Sequence, residues 1–334
     1  MPVVAHPKLP SLARLEQEGV ILSTAKGTDF SKELHVGLLN LMPDAALQAT
    51  ERQFIRLLAS DAQILVHVYP TTVAAVTRSK ASMEYIAQHY NKIEAFFELA
   101  LDGLIISGAN PSRPDMSEEP FWKPLINVAQ WAEEHTNSVL CSCLATHALT
   151  KYYFGIDRER RQEKSWGLFS HRLLNPSHPL TDGLQEGFMG PHSHYYDLSS
   201  EKIEQTDLEI LAEHDEAGFF VATTADTRLV FCQGHPEYDD VSLFKEYKRE
   251  IDNYLSGSRS DYPPIPTNYF SKEGVSILRD IQQKVVSERS SPQLPEKELL
   301  EQVEVKWQDS GKILYKNWLG ILLQKKSTQQ LKAC

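Results

Sequence analysis

Long apolar runs are missing from this 334-residue chain, and none approaches the roughly 20 residues that span a bilayer. The opening MPVVAHPKLPSLARLEQEG holds no apolar core of the kind a secretory leader needs, so no signal peptide is expected. Cysteine is scarce: there are four, two of them in apolar strand-like runs. That usage fits a reducing, cytoplasmic compartment rather than a disulfide scaffold. Positive charge is also short, with 34 Lys and Arg against 45 Asp and Glu, a formal net charge of −11. This argues against nucleic acid as the main partner. It leaves room for small anions, because a local basic pocket can outvote the global sign. There is no internal repeat. What remains, 41% hydrophobic and 24% charged residues, is the ordinary composition of a soluble globular protein.

The pattern along the chain alternates. Residues 35–41 (HVGLLNL), 64–69 (ILVHVY), 101–107 (LDGLIIS) and 138–143 (SVLCSC) read as buried strands. Helical spacing of apolar residues fills 47–58, 83–100, 121–134 and 144–154 between and after them. Strands alternating with helices predict an α/β fold with a mainly parallel sheet and helices on both faces. Ligands in such sheets bind beyond the C-terminal strand ends, where Gly108, Cys143 and His235 all fall. Between 172 and 228 the pattern becomes irregular, apart from a strand at 218–224 (GFFVATT). A charged amphipathic helix is expected over 239–254 and a Gly/Ser/Pro linker over 256–266. The stretch 272–304 is so charged that it reads as a solvated excursion, and 313–323 reads as a docking helix. The whole is expected to be one domain, 1–334, with an N-terminal extension over 1–34 and an insertion near 274–304.

Chemistry concentrates in Phe231-Cys232-Gln233-Gly234-His235-Pro236-Glu237-Tyr238. On an extended segment, residues two apart point the same way, so His235 and Glu237 can share one pocket as base and orienting acid. Cys143 stands at a strand-to-helix turn, where the helix dipole favours a thiolate. Thiol, imidazole and carboxylate make up the inventory of a cysteine acyl-transfer site. Two blander readings compete. A cysteine in a strand is usually core. Cys141-x-Cys143 with Cys232-x-x-His235 also mimics a four-ligand zinc set, although Glu237 would then be unexplained. The favoured reading assigns no metal and no bound cofactor.

The ordered motifs LLNLMP (38–43), LDGLIISGA (101–109), the Cys143 turn, EKSWGLFSHR (163–172), GPHSHY (190–195), GHPEYD (234–239) and KNWL (316–319) carry a further signal. Together they resemble the homoserine O-succinyltransferase and O-acetyltransferase family. The likeness runs over about 1–323 and lacks a counterpart only in the 274–304 region. It implies a flavodoxin-like, class I glutamine-amidotransferase-like fold. It also implies transfer of an acyl group from succinyl-CoA, with acetyl-CoA as the second donor, through a cysteine thioester to the L-homoserine hydroxyl. Under this likeness Cys143 carries the acyl group, His235 accepts protons and Glu237 completes the set. Lys164, Ser193 and Arg249 match positions that bind the amino acid, and Ser112 matches a position that tunes the acyl donor. The expected partners are small molecules, with no nucleic acid or membrane; a homodimer is also allowed for.

The chain departs from the family pattern at several positions. Asp44-Ala45 stands where paired lysines are usual, His194 where arginine is usual, and His147 where glutamine is usual. Asn110-Pro111-Ser112 replaces an apolar stretch. Two rival functions follow from these departures and from the fold. One is the same transfer to another hydroxy amino acid, such as serine. The other is glutamine amide hydrolysis, which usually wants glycines around its nucleophile; Ser142 and Leu144 do not supply them.

Overall fold

The computed structural model describes residues 3–20, 32–288 and 294–333. Residues 21–31 of the N-terminal stretch, 289–293 of the charged stretch and the Cys334 thiol lie outside them. Ten strands are present among the described residues: β1 (Val3–Ala5), β2 (Glu33–Leu39), β3 (Leu65–Thr71), β4 (Gly103–Ile106), β5 (Ser138–Ser142), β6 (Glu159–Leu173), β7 (Phe188–Asp197), β8 (Leu208–His214), β9 (Gly218–Thr224) and β10 (Leu229–Cys232). The helices are α1 (Ser11–Gln17), α2 (Asp44–Leu58), α3 (Lys80–His89), α4 (Ile93–Phe96), α5 (Trp122–His135), α6 (Leu144–Phe154), α7 (Ser200–Ile203), α8 (Ser242–Leu255), α9 (Lys272–Glu288), α10 (Glu296–Glu301) and α11 (Gln308–Ala333).

The strands lie in the order β1-β3-β2-β4-β5-β10-β9-β8-β6-β7. From β1 to β10 every pairing is parallel, and from β10 to β7 every pairing is antiparallel. Side chains divide between the two faces by strand parity. Val36, Leu38, Ile105, Leu140 and Val230 enter one core, with Phe54 of α2 and Trp318 of α11. Leu39, Leu104, Ile106, Val139 and Phe231 enter the other, with Leu125 of α5 and Ala148 of α6. Each fully buried Leu or Val contributes roughly 1.5–3 kcal/mol of transfer free energy, so both faces demand a helical cover. The expected two-faced α/β sheet is present. Its central strands are continuous apolar runs for this reason.

Two stretches differ from their sequence pattern. The irregular region 172–228 is mostly antiparallel sheet, built from β7, β8 and β9 beside the 15-residue β6. β7 and β8 mix buried with half-buried positions and carry polar side chains such as His192, Ser193, Glu209 and Glu213, which hides them as strands; only β9 is a continuous buried run. The charged stretch 272–304 forms α9 and α10. They pack Leu278 and Leu299 into a third core with Trp166, Tyr247 and Trp307. Charge outnumbers the apolar residues there, yet a few large side chains on one stripe are enough to dock both helices.

Candidate active site

Three adjacent parallel strands, β4, β5 and β10, end together, and each delivers one part of the site. Gly108 follows β4. A Cβ built on it would stand 3.7 Å from Cβ of Cys143, so the two backbones run side by side.

Cys143 follows β5 directly and precedes α6, with φ 49° and ψ −105°. A non-glycine residue at positive φ is strained, and such strain persists where the surroundings over-determine it. Here the Cys143 N–H donates to the Cys232 carbonyl at 2.7 Å, which pins the turn. The result is a sharp elbow that lifts the thiol toward a cavity of about 490 Å³. Cys143 is half-buried, whereas Cys141 and Cys232 are buried. Burial raises the pKa of both buried thiols. Among the described residues, the four-ligand zinc arrangement of these cysteines with His235 is not assembled. Cys141 is part of the core.

His235 is fixed by its own N–H, which donates to the Pro191 carbonyl at 2.8 Å. The preceding Gly234 is required for that approach, because a Cβ there would lie 2.1 Å from the Phe220 ring. Nδ1 of His235 meets Oε1 of Glu237 at 2.9 Å. The segment is a turn rather than a strand, so the pairing arises from local chain reversal and not from strand parity. Ser142 Oγ donates to the same carboxylate oxygen at 3.2 Å. The Tyr238 ring stacks on the imidazole with centroids 4.2 Å apart. Among the described residues Nε2 of His235 has no hydrogen-bond partner, and the Cys143 thiol is the neighbour whose charge acts on the ring. Burial alone would lower the His235 pKa, but the charges of Cys143 and Glu237 outweigh it and hold it well above the usual value.

The far wall of the cavity is organised by Glu246 on α8, a residue that the sequence reading missed. Its Oε2 receives Trp166 Nε1 at 2.9 Å, Lys164 Nζ at 3.1 Å and the Ser193 hydroxyl. Its Oε1 receives the Tyr238 hydroxyl at 2.6 Å. Burial alone would raise the Glu246 pKa, but Lys164, Ser193 and Tyr238 outweigh it and keep it below the usual range. Burial lowers the Lys164 pKa, and Glu246 restores it only in part. Lys164 also lies 4.2 Å from the Trp166 ring centroid, a cation–π contact. Arg249 stands one helical turn beyond Glu246, exposed, with Glu250 at 3.7 Å as its ion partner. The spacing Glu246, Arg249, Glu250 on one helix face was the available signal, obscured by the high charge of the whole helix.

Cys143, His235, Glu237, Lys164, Ser193 and Arg249 therefore line one cavity. Ser112 does not: it is exposed, and its hydroxyl donates to Glu119 at 3.2 Å, while Asn110 and Pro111 form the nearby wall. Three buried histidines make a chain behind the site, His171 Nε2 to His192 Nε2 at 2.9 Å and His192 Nδ1 to His194 Nε2 at 2.9 Å. Burial, then neighbouring charges, lowers the pKa of each. His194 is thus neutral and does not replace the charge of an arginine. Burial, with Arg158 nearby, pushes His147 down to about 3. Asp44 is turned away from substrate duty: it accepts from the Ser79 N–H at 2.7 Å and pairs with Arg78. Arg158 is the cationic side chain beside Asn110 and Pro111, held by the Arg113 carbonyl at 3.0 Å.

Comparison with known proteins adds an independent finding. A sequence model of the homoserine O-succinyltransferase family matches residues 2–328. The chain is 46% identical to the homoserine O-succinyltransferase of Methylobacter tundripaludum, covering 97% of this chain and 94% of that one. It is 44% identical to that of Nitrosococcus oceani, covering 97% and 93%. Among solved structures it is similar to a glutamine amidotransferase of Methylobacillus flagellatus, at 15% identity and a TM-score of 0.49, covering 87% and 95%. It is also similar to a glutamine amidotransferase of Thermotoga maritima, at 11% identity and a TM-score of 0.44, covering 87% and 97%. With a family match and close relatives that both run nearly end to end, the chain belongs to the homoserine O-succinyltransferase family.

Proposed function

We propose that this protein transfers a succinyl group from coenzyme A to the hydroxyl of L-homoserine, through a thioester on Cys143, in the cytoplasmic synthesis of methionine. One observation carries the mechanism: the strained Cys143 elbow and the His235–Glu237 pair open onto the same cavity as the Glu246 cluster. In the first step the Cys143 sulfur attacks the thioester carbonyl of succinyl-CoA. The carbonyl oxygen becomes an oxyanion, received by the Leu144 N–H at the start of α6 and by the peptide after Gly108. As the tetrahedral species collapses, the carbon–sulfur bond to coenzyme A breaks, and the departing sulfur takes the proton of His235. In the second step neutral His235 removes the proton of the homoserine hydroxyl. The hydroxyl oxygen attacks the acyl carbon, and Cys143 leaves as the anion beside a re-formed imidazolium. Glu237 holds the Nδ1 proton throughout, which fixes the tautomer and keeps Nε2 toward the reacting atoms.

The acceptor is zwitterionic, and the cavity wall has both complements. Arg249 is exposed and meets Glu250 only through Nε at 3.7 Å, so its two terminal nitrogens can receive the carboxylate in bidentate fashion. Glu246, held in place by Lys164, Ser193, Trp166 and Tyr238, receives its ammonium. The succinyl carboxylate needs a cation, and Arg158 beside Asn110 and Pro111 supplies one. Ser112 acts on donor choice indirectly, through the loop it shares with those two residues. The family name of the close relatives supports succinyl as the group and homoserine as the acceptor.

The test crosses succinyl-CoA and acetyl-CoA with homoserine and serine, and follows release of coenzyme A. Intact-mass measurement without acceptor is expected to show one succinyl adduct, absent in Cys143→Ala. Turnover with serine but not homoserine would overturn the acceptor assignment. An adduct that survives Cys143→Ala would overturn the thioester. Steady release of ammonia from glutamine would favour the hydrolase reading instead.

A further inference from the structure

The end of the sheet opposite Cys143 holds a second cluster of chemistry-bearing side chains. Adjacent parallel strands β2 and β3 are in register with His35 opposite His67. Glu33, two residues before His35, points to the same face, as does Tyr69, two residues after His67. His6, just beyond β1, joins them from the next strand over. His6 and His67 stack with ring centroids 5.1 Å apart, and His35 and His67 with centroids 4.7 Å apart. Imidazole, imidazole and carboxylate at the ends of two strands serve neither the acyl-transfer cavity nor either apolar core.

We infer that Glu33, His35 and His67 bind one divalent transition-metal ion of the zinc class. Their ligand atoms already lie within 4.8 Å of one another. The two imidazoles are oriented as metal ligands usually are, each with its second nitrogen held by an outer partner. Nδ1 of His67 faces Nε2 of His6 at 2.8 Å. Nδ1 of His35 faces the Tyr69 hydroxyl at 2.9 Å. Nε2 of each ring is thereby left for an ion. Nε2 of His67 is shielded from solvent, lacks a hydrogen-bond partner and abuts the Glu33 carboxylate. Glu33 is exposed and can swing to complete a ligand set. The nearby cation Lys326 is neutralised by Asp102 at 2.9 Å. A cavity of about 640 Å³, lined by His35, Tyr69, Asp102 and Lys326, opens beside the cluster.

Two nitrogens and one carboxylate oxygen suit zinc, cobalt or nickel better than magnesium or calcium, which prefer all-oxygen sets. An ion here bridges β2 and β3 directly and reaches β1 through His6. It stands at the beginning of the strands whose far ends carry the acyl chemistry, so its work is to staple the sheet edge and not to take part in transfer.

The experiment uses the full chain, stripped with chelator and titrated with Co²⁺ and then Zn²⁺. The expected result is one equivalent of Co²⁺ bound, with a visible spectrum free of thiolate-to-cobalt charge transfer, and displacement by Zn²⁺. Glu33→Gln and His35→Gln should each weaken binding on the order of tenfold or more, while Cys143→Ser leaves it unchanged. Glu33 is exposed, so Glu33→Gln keeps the test valid even where a histidine variant fails to fold. Thermal unfolding should move up with Zn²⁺ in the wild type and stay fixed in Glu33→Gln. Absence of a bound equivalent, a thiolate band in the cobalt spectrum, or unchanged affinity in Glu33→Gln would each overturn the site.

Discussion

His235 is charged because of what surrounds it, and that charge can be read through the neighbouring sulfur. Its pKa is raised, so the imidazolium persists from acid pH up through the neutral range and is lost only as pH rises past the elevated value. Alkylation of Cys143 by iodoacetamide at neutral pH should therefore be slower in His235→Asn than in the wild type. An unchanged rate in that variant would remove His235 from its role. Loss of the base should also cost about 10²–10⁴-fold in turnover. Glu246 makes a second prediction at this scale. Glu246→Gln keeps the shape but loses the charge, so KM for the amino acid should rise while KM for the acyl-CoA stays close to wild type. Equal rises in both constants, measured with the other substrate saturating, would reduce Glu246 to a scaffold for Lys164 and Tyr238.

Elements decide how much of this is legible in sequence. The central strands are legible because both of their faces are buried, which leaves near-continuous apolar runs. Their C-terminal ends point to Cys143 and His235 without any motif, the two-residue spacing adds Glu237, and the family likeness adds Lys164, Ser193 and Arg249. Glu246 stays hidden because a carboxylate on a charged helix reads as solvated until the Lys164 strand is known to pack over it. His171 and His192 stay hidden as a pair because the contact joins two strands, β6 and β7, across 21 residues. The stretch 272–304 reads as a solvated excursion because its few buried side chains, Leu278, Val285 and Leu299, are diluted by charge. Gly234 gives the prediction for this scale. It lets the turn after β10 pass against Phe220, and Gly234→Ala would force the chain away from that ring. The expected outcome is a loss of turnover far larger than the loss of stability, which overpacking puts at about 1–3 kcal/mol. Turnover near wild type with the fold intact would mean that His235 tolerates displacement of its turn.

Across the whole molecule, one sheet carries the two clusters at its opposite ends, and α11 covers one of its faces. Trp318 is fully buried against the sheet, and its indole N–H donates to Ser138 Oγ at 3.0 Å, the first residue of β5. Its ring lies against Gly103, where a Cβ would stand 3.1 Å from it, so a side chain on β4 would collide with the helix. The strands that end at Gly108 and Cys143 are thus braced from their N-terminal side by α11, through Trp318 and Leu322. Removing Trp318 leaves a large cavity and takes one donor from the Ser138 hydroxyl, which keeps its bond to the Thr227 carbonyl at 2.7 Å, but it touches nothing in the acyl-transfer cavity. Trp318→Ala should lower stability by about 3–5 kcal/mol. At low temperature, where the variant remains folded, its iodoacetamide rate and its acceptor KM should match those of the wild type. The check is thermal unfolding followed by near-ultraviolet circular dichroism, paired with kinetics well below the transition. An unchanged unfolding temperature would show that α11 does not brace the sheet. A normal transition coupled with a changed alkylation rate would show that β5 transmits its packing to the Cys143 elbow, and the two ends of the molecule would have to be treated as mechanically linked.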